Sequence, residues 1–186
     1  MPIGSYSAYR QVMRHMLMHN PTSVLDIGIG HGINGAGVRN WLDVGVQPYK
    51  TQLEGIEGWE RYKSPLWECY DKVHICTIQD YIERYKKDKW HKFDCILMTD
   101  VIEHFDKDEG NWVKEHLERM LHLNGVLIIS TPGIWIEQGD AYGNELERHR
   151  SVWHFTDFLN YEIIDPGTKP DDMGYIMLTA KYTRRS

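Results

Sequence analysis

Four side chains in the second half of the sequence have the types and spacing of a metal site or an acid–base centre. Asp100, Glu103 and His104 form a D-x-x-E-H segment, and His149 follows later in the chain. If the segment turns helically, residues three and four positions apart share one face, so these groups converge. Carboxylates with imidazoles can bind Mg²⁺, Mn²⁺ or Fe²⁺, and either group can act as a general base. We predict Asp100, Glu103, His104 and His149 as catalytic residues; whether they bind a metal, act without one or form a structural hydrogen-bond network stays open.

A glycine-rich turn in the first half of the chain gives the second chemical signal. Asp26 interrupts a short apolar run, and Gly28, Gly30 and Gly32 follow it as D-x-G-x-G-x-G, directly before a predicted helix. Alternate glycines permit a sharp turn and let the backbone approach a ligand without Cβ atoms in the way. The helix N-terminus adds free amide groups and the positive end of its dipole. A strand, a glycine turn and a helix in this order predict a nucleotide-type binding loop.

Two classes of ligand compete for this loop. Gly30, Gly32 and Gly35 also fit G-x-G-x-x-G, and Glu57 lies about where a dinucleotide-binding fold has its ribose-binding acid. Asp26 favours another ligand, because a carboxylate in the turn repels a pyrophosphate and attracts a cation such as the sulfonium of S-adenosylmethionine. A glycine turn with a purely structural role is the third interpretation.

The D-x-G-x-G-x-G run resembles the first motif of class I S-adenosylmethionine-dependent methyltransferases, and the resemblance extends over residues 17–182. It implies an α/β, Rossmann-like fold with a mostly parallel seven-stranded sheet and a terminal antiparallel strand. It also implies S-adenosyl-L-methionine as the cofactor and methyl transfer to an oxygen or nitrogen of an acceptor. Asp26, Gly28, Gly30 and Gly32 match the cofactor loop of that family.

The same resemblance assigns further residues to parts of the cofactor. Glu57, at the end of the second predicted strand, matches an acid that bonds the ribose hydroxyls. Ile78 and Asp80 follow the third strand, before a helix predicted from Tyr81. Asp80 matches an acid that accepts from the adenine amino group, and Ile78 an apolar contact to the ring; Asp80 is also a good helix cap. Thr99, at the end of the fourth strand, completes the predicted cofactor-binding set.

The D-x-x-E-H segment resembles a metal-dependent branch that methylates the terminal 2′-hydroxyl of small RNAs. The motif of that branch is E-x-x-E-H with a later histidine shortly before an aromatic residue. Glu103, His104 and His149 match it, whereas Asp100 departs from it by one methylene. Methyltransferases that bind no metal carry a similar E-H pair, which orients the loop or faces the substrate.

The composition of the chain limits the classes of partner and the location that we expect. The 186 residues (21.9 kDa) predict a single domain over 1–186, and a net charge of −6 disfavours nucleic acid without excluding a small RNA. We expect a small-molecule, sugar or peptide acceptor, and a homo-oligomer is left open. Cys69, Cys76 and Cys95 form no C-x-x-C pair, which indicates a reducing, cytoplasmic location. Neither a signal-peptide pattern nor an apolar run of transmembrane length is present, so we expect no membrane association.

The elements that must position these residues follow from hydrophobic periodicity. We predict a helix over 6–19, with strands over 24–27, 52–57, 72–76, 93–99 and 125–131, and a closing hairpin of 161–164 and 175–182. Residues 132–153 lack periodicity, and so long a connection predicts a lid or binding loop. Two other functions stay open: a nicotinamide-dependent oxidoreductase and a non-catalytic adenosylmethionine-binding module.

Overall fold

A seven-stranded sheet forms the centre of the protein, in a computed structural model that describes residues 5–86 and 91–185. In chain order its strands are Ser23–Ile27 (β1), Gln52–Glu57 (β2), Lys72–Ile75 (β3), Phe93–Thr99 (β4), Leu121–Pro132 (β5), Glu162–Pro166 (β6) and Met177–Thr183 (β7). Across the sheet they follow the order β3-β2-β1-β4-β5-β7-β6. β5 begins earlier than its apolar run suggests, because Leu121 pairs with Phe93 across a register shift.

The strand directions match the predicted sheet. β1 runs parallel to β2 and β4, and the β2–β3 and β4–β5 pairs are also parallel. β7 pairs antiparallel with both β5 and β6. The prediction of a mostly parallel sheet whose last strand is reversed is therefore confirmed. In space the reversed strand lies between β5 and β6 rather than at the edge.

Helices cover both faces of the sheet. They span Tyr6–His19 (α1), Ile33–Trp41 (α2), Ile78–Tyr85 (α3) and Lys107–Arg119 (α4). Apolar residues of α1 and α2 join one buried cluster, and those of α3 and α4 join a second cluster on the opposite face. Since both faces are covered, the central strand β4 reads as an almost continuous apolar run. Across the residues that the structure describes, none of the helices has both the length and the apolar composition needed to cross a membrane.

The parallel strands bring the chemical residues to one edge of the sheet. The carboxyl ends of β1 to β5 meet there, and ligands of open α/β sheets bind at this edge. Gly28 follows β1, Glu57 ends β2, and Asp100 follows β4. The connection from β5 to β6 crosses the same edge through short 3₁₀ turns at Ala141–Gly143 and Glu145–Glu147. We call residues 133–153 of this connection the strap.

Candidate active site

A cavity of about 340 Å³ lies at the carboxyl edge of the sheet, a volume within the usual range for ligand sites. Its wall combines the glycine turn, the ends of β2, β3 and β4, the start of α1 and part of the strap. The predicted site residues in this wall are Gly28, Gly30, Glu57, Ile78, Thr99, Asp100 and His104. Of the residues that the structure describes, Asp26, Gly32, Asp80, Glu103 and His149 are predicted site residues outside the cavity lining.

The glycine turn requires glycine for two physical reasons. Gly28, Gly30 and Gly32 have φ angles of 66°, 51° and 89°, in the left-handed region that L side chains rarely adopt. A Cβ atom on Gly28 would lie 2.5 Å from Cγ2 of Val101, so the turn is also too close to its neighbour for a side chain. Gly28 and Gly30 therefore present bare backbone to the cavity.

Asp26 lies beneath the cavity and holds part of its wall. The side chain is fully buried and accepts hydrogen bonds from the Tyr70 hydroxyl (2.6 Å) and from Nδ2 of Asn34 (3.0 Å). Burial raises the pKa of Asp26 to about 6. Asn34 itself lines the cavity and also donates to Oγ1 of Thr99 at 3.1 Å. Asp26 thus contacts the site through Asn34.

Glu57 combines a buried carboxylate with access to the cavity. Its Oε2 accepts from the Gly30 amide and its Oε1 from the Trp59 amide, each at 2.8 Å. Burial raises the pKa of this carboxyl above its ordinary value. Each carboxylate oxygen can accept more than one hydrogen bond, so both oxygens keep acceptor capacity for a ligand. The arrangement suits a vicinal diol such as a ribose.

The first turn of α3 differs from the prediction in the residue that faces the cavity. α3 begins at Ile78, capped by Thr77, whose hydroxyl accepts from the Asp80 amide. The exposed Asp80 carboxylate accepts from the same hydroxyl at 2.9 Å, so Asp80 takes part in the helix start. Ile78 and Gln79 line the cavity. Sequence reasoning missed Gln79, for which the sequence carries no distinctive signal.

Three of the four catalytic candidates form a cluster beside the cavity, and His104 of this cluster lines the cavity wall. One ring nitrogen each of His104 and His149 and one carboxylate oxygen of Glu103 all lie within 4.8 Å of one another. Glu103 is buried and accepts from the Thr131 hydroxyl at 2.9 Å. Burial, and secondly the charge of Asp100, raise the pKa of Glu103. A carboxyl group and two imidazoles this close together can bind a divalent cation, which would displace the carboxyl proton.

Hydrogen bonds fix the tautomer of both histidines. Nδ1 of His104 lies 3.2 Å from the Arg148 carbonyl oxygen, and Nδ1 of His149 lies 2.7 Å from that of Ile136. A carbonyl oxygen only accepts, so each Nδ1 carries the proton and each neutral ring keeps the Nε2 lone pair. Burial lowers the pKa of His104 to about 4 and also lowers that of His149. Metal-binding histidines characteristically make such Nδ1–H bonds to carbonyl oxygens.

Asp100 contacts a different element. Its Oδ2 accepts from the Ser5 amide at the start of α1 at 2.6 Å, and its own φ is 52°, in the left-handed region. Burial raises the pKa of Asp100. The structure thus joins Glu103, His104 and His149 in one cluster, whereas the Asp100 carboxylate bonds the N-terminal end of the helix that covers the cavity.

The strap supplies cavity residues that the sequence pattern did not single out. The Tyr62 hydroxyl donates to Oε1 of Glu147 at 2.9 Å, which ties the strap to the 3₁₀ turn that follows β2. Leu146 contacts the position where Gly58 would carry a Cβ atom. Asn144, Leu146, Glu147 and Arg150 all line the cavity. The only signal for them was the length of the connection, which predicted a lid or binding loop.

Comparison with known proteins finds similarity in structure but not in sequence. No protein-family model and no curated protein sequence matches the chain. The chain is similar to 1,6-didemethyltoxoflavin-N1-methyltransferase from Burkholderia thailandensis, solved with S-adenosylhomocysteine: TM-score 0.64 and 16% identity, covering 97% of this chain and 79% of that chain. The chain is also similar to an O-methyltransferase from Bacillus cereus, again in complex with S-adenosylhomocysteine. The TM-score is 0.59 at 13% identity, covering 97% of this chain and 82% of that chain.

A third structure matches over almost its whole length. For a SAM-dependent methyltransferase from Archaeoglobus fulgidus the TM-score is 0.62 at 12% identity, covering 95% of this chain and 94% of that chain. At such identities the likeness establishes the fold. The chain has the Rossmann-like fold of class I S-adenosylmethionine-dependent methyltransferases, as the sequence resemblance implied.

Proposed function

We propose that the protein is an S-adenosyl-L-methionine-dependent methyltransferase that acts on an oxygen or nitrogen of a small acceptor. The observation that carries the proposal is Glu57, a buried carboxylate held by the Gly30 and Trp59 amides in the wall of the cavity. The Glu57 carboxylate can bind a diol, and the glycine turn whose Gly30 amide it holds lets a ligand approach the backbone closely. A nucleoside cofactor needs both features. The S-adenosylhomocysteine complexes among its structural neighbours support the same cofactor.

The charge of the cavity favours this cofactor over a nicotinamide dinucleotide. Among the described lining residues, the Lys, Arg, Asp and Glu side chains are Arg150 against the carboxylates of Glu57, Asp100, Glu109 and Glu147. An acidic wall attracts a sulfonium and an ammonium group and repels a pyrophosphate. We infer that Asp26 contributes by holding Asn34 in the wall rather than by touching the cofactor.

Buried polar atoms without partners also fit an occupied cavity. Within the described part of the chain, Oγ of Ser5 and Oε1 of Gln79 are buried and lack a hydrogen-bond partner, and both residues line the cavity. Native proteins rarely leave such atoms unpaired. A polar ligand between α1 and α3 would supply the missing donors or acceptors.

Methyl transfer requires alignment more than proton chemistry. A lone pair of the acceptor attacks the methyl carbon while the carbon–sulfur bond breaks and its electrons go to sulfur, leaving a neutral thioether. The nucleophile, carbon and sulfur must lie in line, and holding them so contributes most of the rate. The strap and the start of α1, which line the cavity, would enclose the acceptor. With its pKa near 4, His104 is a weak base at neutral pH.

We propose that Glu103, His104 and His149 bind a divalent cation. Their donor atoms lie close together, and the carbonyl-bonded tautomers leave Nε2 free to coordinate. A bound cation would lower the pKa of a nearby acceptor hydroxyl and so make oxygen the better nucleophile. Asp100 would hold α1 over the acceptor through the Ser5 amide.

The broader assignments follow the same proposal. The chain forms a single domain over 1–186 that acts in the cytoplasm, where its free cysteines, Cys69, Cys76 and Cys95, stay reduced. A small molecule, a sugar or a peptide group is the acceptor we favour.

A turnover assay tests the proposal. The protein is incubated with methyl-labelled S-adenosylmethionine and a panel of catechols, sugars, amines, peptides and a short RNA. At least one acceptor should gain label with matching release of S-adenosylhomocysteine, and Gly30→Val should abolish it, because a β-branched residue blocks the backbone approach. Binding of the cofactor without transfer to any acceptor would support the non-catalytic module instead.

A further inference from the structure

Thr131 places a buried hydroxyl at the carboxyl end of β5. The strand is apolar from Val126 to Ile129, and Thr131, two residues further on, is fully buried. Burying a hydroxyl is costly unless it finds a hydrogen-bond partner. The partner here is Oε2 of Glu103, which accepts from the Thr131 hydroxyl at 2.9 Å. Thr131 thus joins β5 to the 3₁₀ turn that carries Glu103 and His104.

The two histidines of the cluster are oriented by backbone groups. Nδ1 of His104 and Nδ1 of His149 donate to the carbonyl oxygens of Arg148 and Ile136. The contact that orients Glu103 comes instead from a side chain, that of Thr131. A single substitution can therefore remove this contact and leave the backbone contacts of the histidines in place.

The backbone of Glu103 is held separately from its carboxylate. Its carbonyl oxygen accepts from the amides of Arg150 (2.8 Å) and Ser151 (3.1 Å) at the end of the strap. These bonds fix the main chain but not the long side chain, and ordering such a side chain on binding costs affinity. The bond from Thr131 orders the carboxylate in advance. It uses one lone pair of Oε2, so the carboxylate keeps acceptor sites for a cation.

We propose that Thr131 is a positioning residue of the cation site, because its hydroxyl holds the Glu103 carboxylate where it can coordinate together with the Nε2 atoms of His104 and His149. This inference rests on the proposed function, in which those three residues bind a divalent cation. Groups that hydrogen-bond a metal ligand contribute roughly 10- to 100-fold in metal affinity. Thr131 acts on the cation and not on the cofactor, since it lies outside the cavity lining of the described residues.

Calorimetric titration with Mn²⁺ tests the inference. The wild type is compared with Thr131→Val, which has the same shape without the hydroxyl, and with Thr131→Ser, which keeps the hydroxyl. Thr131→Val should weaken Mn²⁺ binding about 10- to 100-fold. Thr131→Ser should stay within a fewfold of the wild type. Both variants should bind S-adenosylhomocysteine as the wild type does, which separates a lost orientation of Glu103 from a general disturbance of the fold.

Thr179→Val is the matched control. Thr179 lies on the neighbouring strand β7 and is also fully buried, but its Oγ1 has no hydrogen-bond partner within the described part of the chain. The same change there should leave Mn²⁺ affinity unaltered. Wild-type Mn²⁺ affinity in Thr131→Val would overturn the inference. So would a loss in Thr131→Val that is matched by Thr131→Ser or by Thr179→Val.

The same titrations distinguish this inference from the proposed function. Failure of the wild type to bind Mn²⁺ would overturn both the cation site and the role of Thr131. Binding of Mn²⁺ without binding of S-adenosylhomocysteine would overturn the proposed cofactor, while the Thr131 variants would still decide the inference. Thermal unfolding identifies a variant that has lost its fold, and Thr131→Ala, which removes the same hydroxyl, then replaces Thr131→Val.

Discussion

Replacing Gly28 by alanine tests the close packing of the glycine turn. The new Cβ atom would be 2.5 Å from Cγ2 of Val101, at a φ of 66°. A left-handed φ costs alanine about 1–2 kcal/mol. Forcing Val101 aside costs about 1–3 kcal/mol, as in other overpacked sites. The free energy of unfolding should therefore fall by about 2–5 kcal/mol, a large part of the stability of a typical domain.

Three further variants separate these contributions. Gly45 also has a left-handed φ, of 70°, but a Cβ atom there would meet nothing within 4 Å. Gly45→Ala should therefore show only the backbone cost, about 1–2 kcal/mol. Val101→Ala removes the clashing methyl group. The double variant Gly28→Ala/Val101→Ala should be more stable than the sum of its single changes predicts, by about 1–3 kcal/mol.

Urea unfolding measures the stability of the wild type and the four variants, and calorimetry measures their affinity for S-adenosylhomocysteine. Gly28→Ala should also weaken binding, because Gly28 and Val101 both line the cavity. Equal destabilisation by Gly28→Ala and Gly45→Ala would refute the argument. So would strictly additive effects of the Gly28 and Val101 changes, since the contact between them would then cost nothing.

Three more predictions concern the carboxylates and histidines. Glu57→Gln places an N–H against a backbone amide and should weaken S-adenosylhomocysteine binding about 10- to 100-fold, with a much smaller loss for a 2′-deoxy analogue. The exposed Glu60→Gln is the control. An equal loss of affinity for both ligands in Glu57→Gln would contradict a ribose contact. Burial raises the pKa of Asp26 from 3.8 to about 6, so folding favours the protonated carboxyl. The free energy of unfolding of the wild type should therefore fall relative to that of Asp26→Asn as the pH rises from about 4 to 6, by at most about 3 kcal/mol. A pH-independent difference in urea midpoints would contradict this. Calorimetry should detect binding of Mn²⁺ to the protein. His149→Ala should weaken Mn²⁺ binding at least tenfold, whereas the exposed His122→Ala should not change it. Equal Mn²⁺ affinity of the two variants would contradict the proposed cation site.

The secondary structure was predictable because its signals are local. Hydrophobic periodicity gave the bounds of α1 (Tyr6–His19), β2 (Gln52–Glu57) and β4 (Phe93–Thr99) as the structure has them. These segments bury one stripe or both faces, so their pattern records their burial directly. The position of β7 between β5 and β6 is a pairing between distant segments, which periodicity does not encode.

The candidate site was predictable only where backbone chemistry dictates residue type. Glycines with left-handed φ angles leave a signature in the sequence, and so does a carboxylate at the end of a buried strand. The sequence carries no such signature for the side of α3 that faces the cavity. The helix begins at Ile78 rather than near Tyr81, and each residue step turns the side chain by about 100°. One step therefore separates Gln79, in the cavity wall, from Asp80, on the surface.

Contacts between distant segments account for the rest of what the sequence did not predict. Tyr62 bonds Glu147 across 85 positions, and the Ser5 amide bonds Asp100 across 95 positions. Neither pair has a local pattern, because each depends on how the strap and α1 close over the sheet edge. Asp26 was predicted to attract the cofactor directly, yet its contacts run to Tyr70 and Asn34.

The central claim is that the cavity at the carboxyl edge of the sheet binds S-adenosylmethionine. Calorimetric titration of the wild-type protein with S-adenosylhomocysteine, and separately with NAD⁺ and NADH, tests it most directly. We predict saturable binding of one S-adenosylhomocysteine per chain, lost in Gly30→Val, and no binding of either dinucleotide. Binding of NAD⁺ or NADH without binding of S-adenosylhomocysteine would contradict the claim.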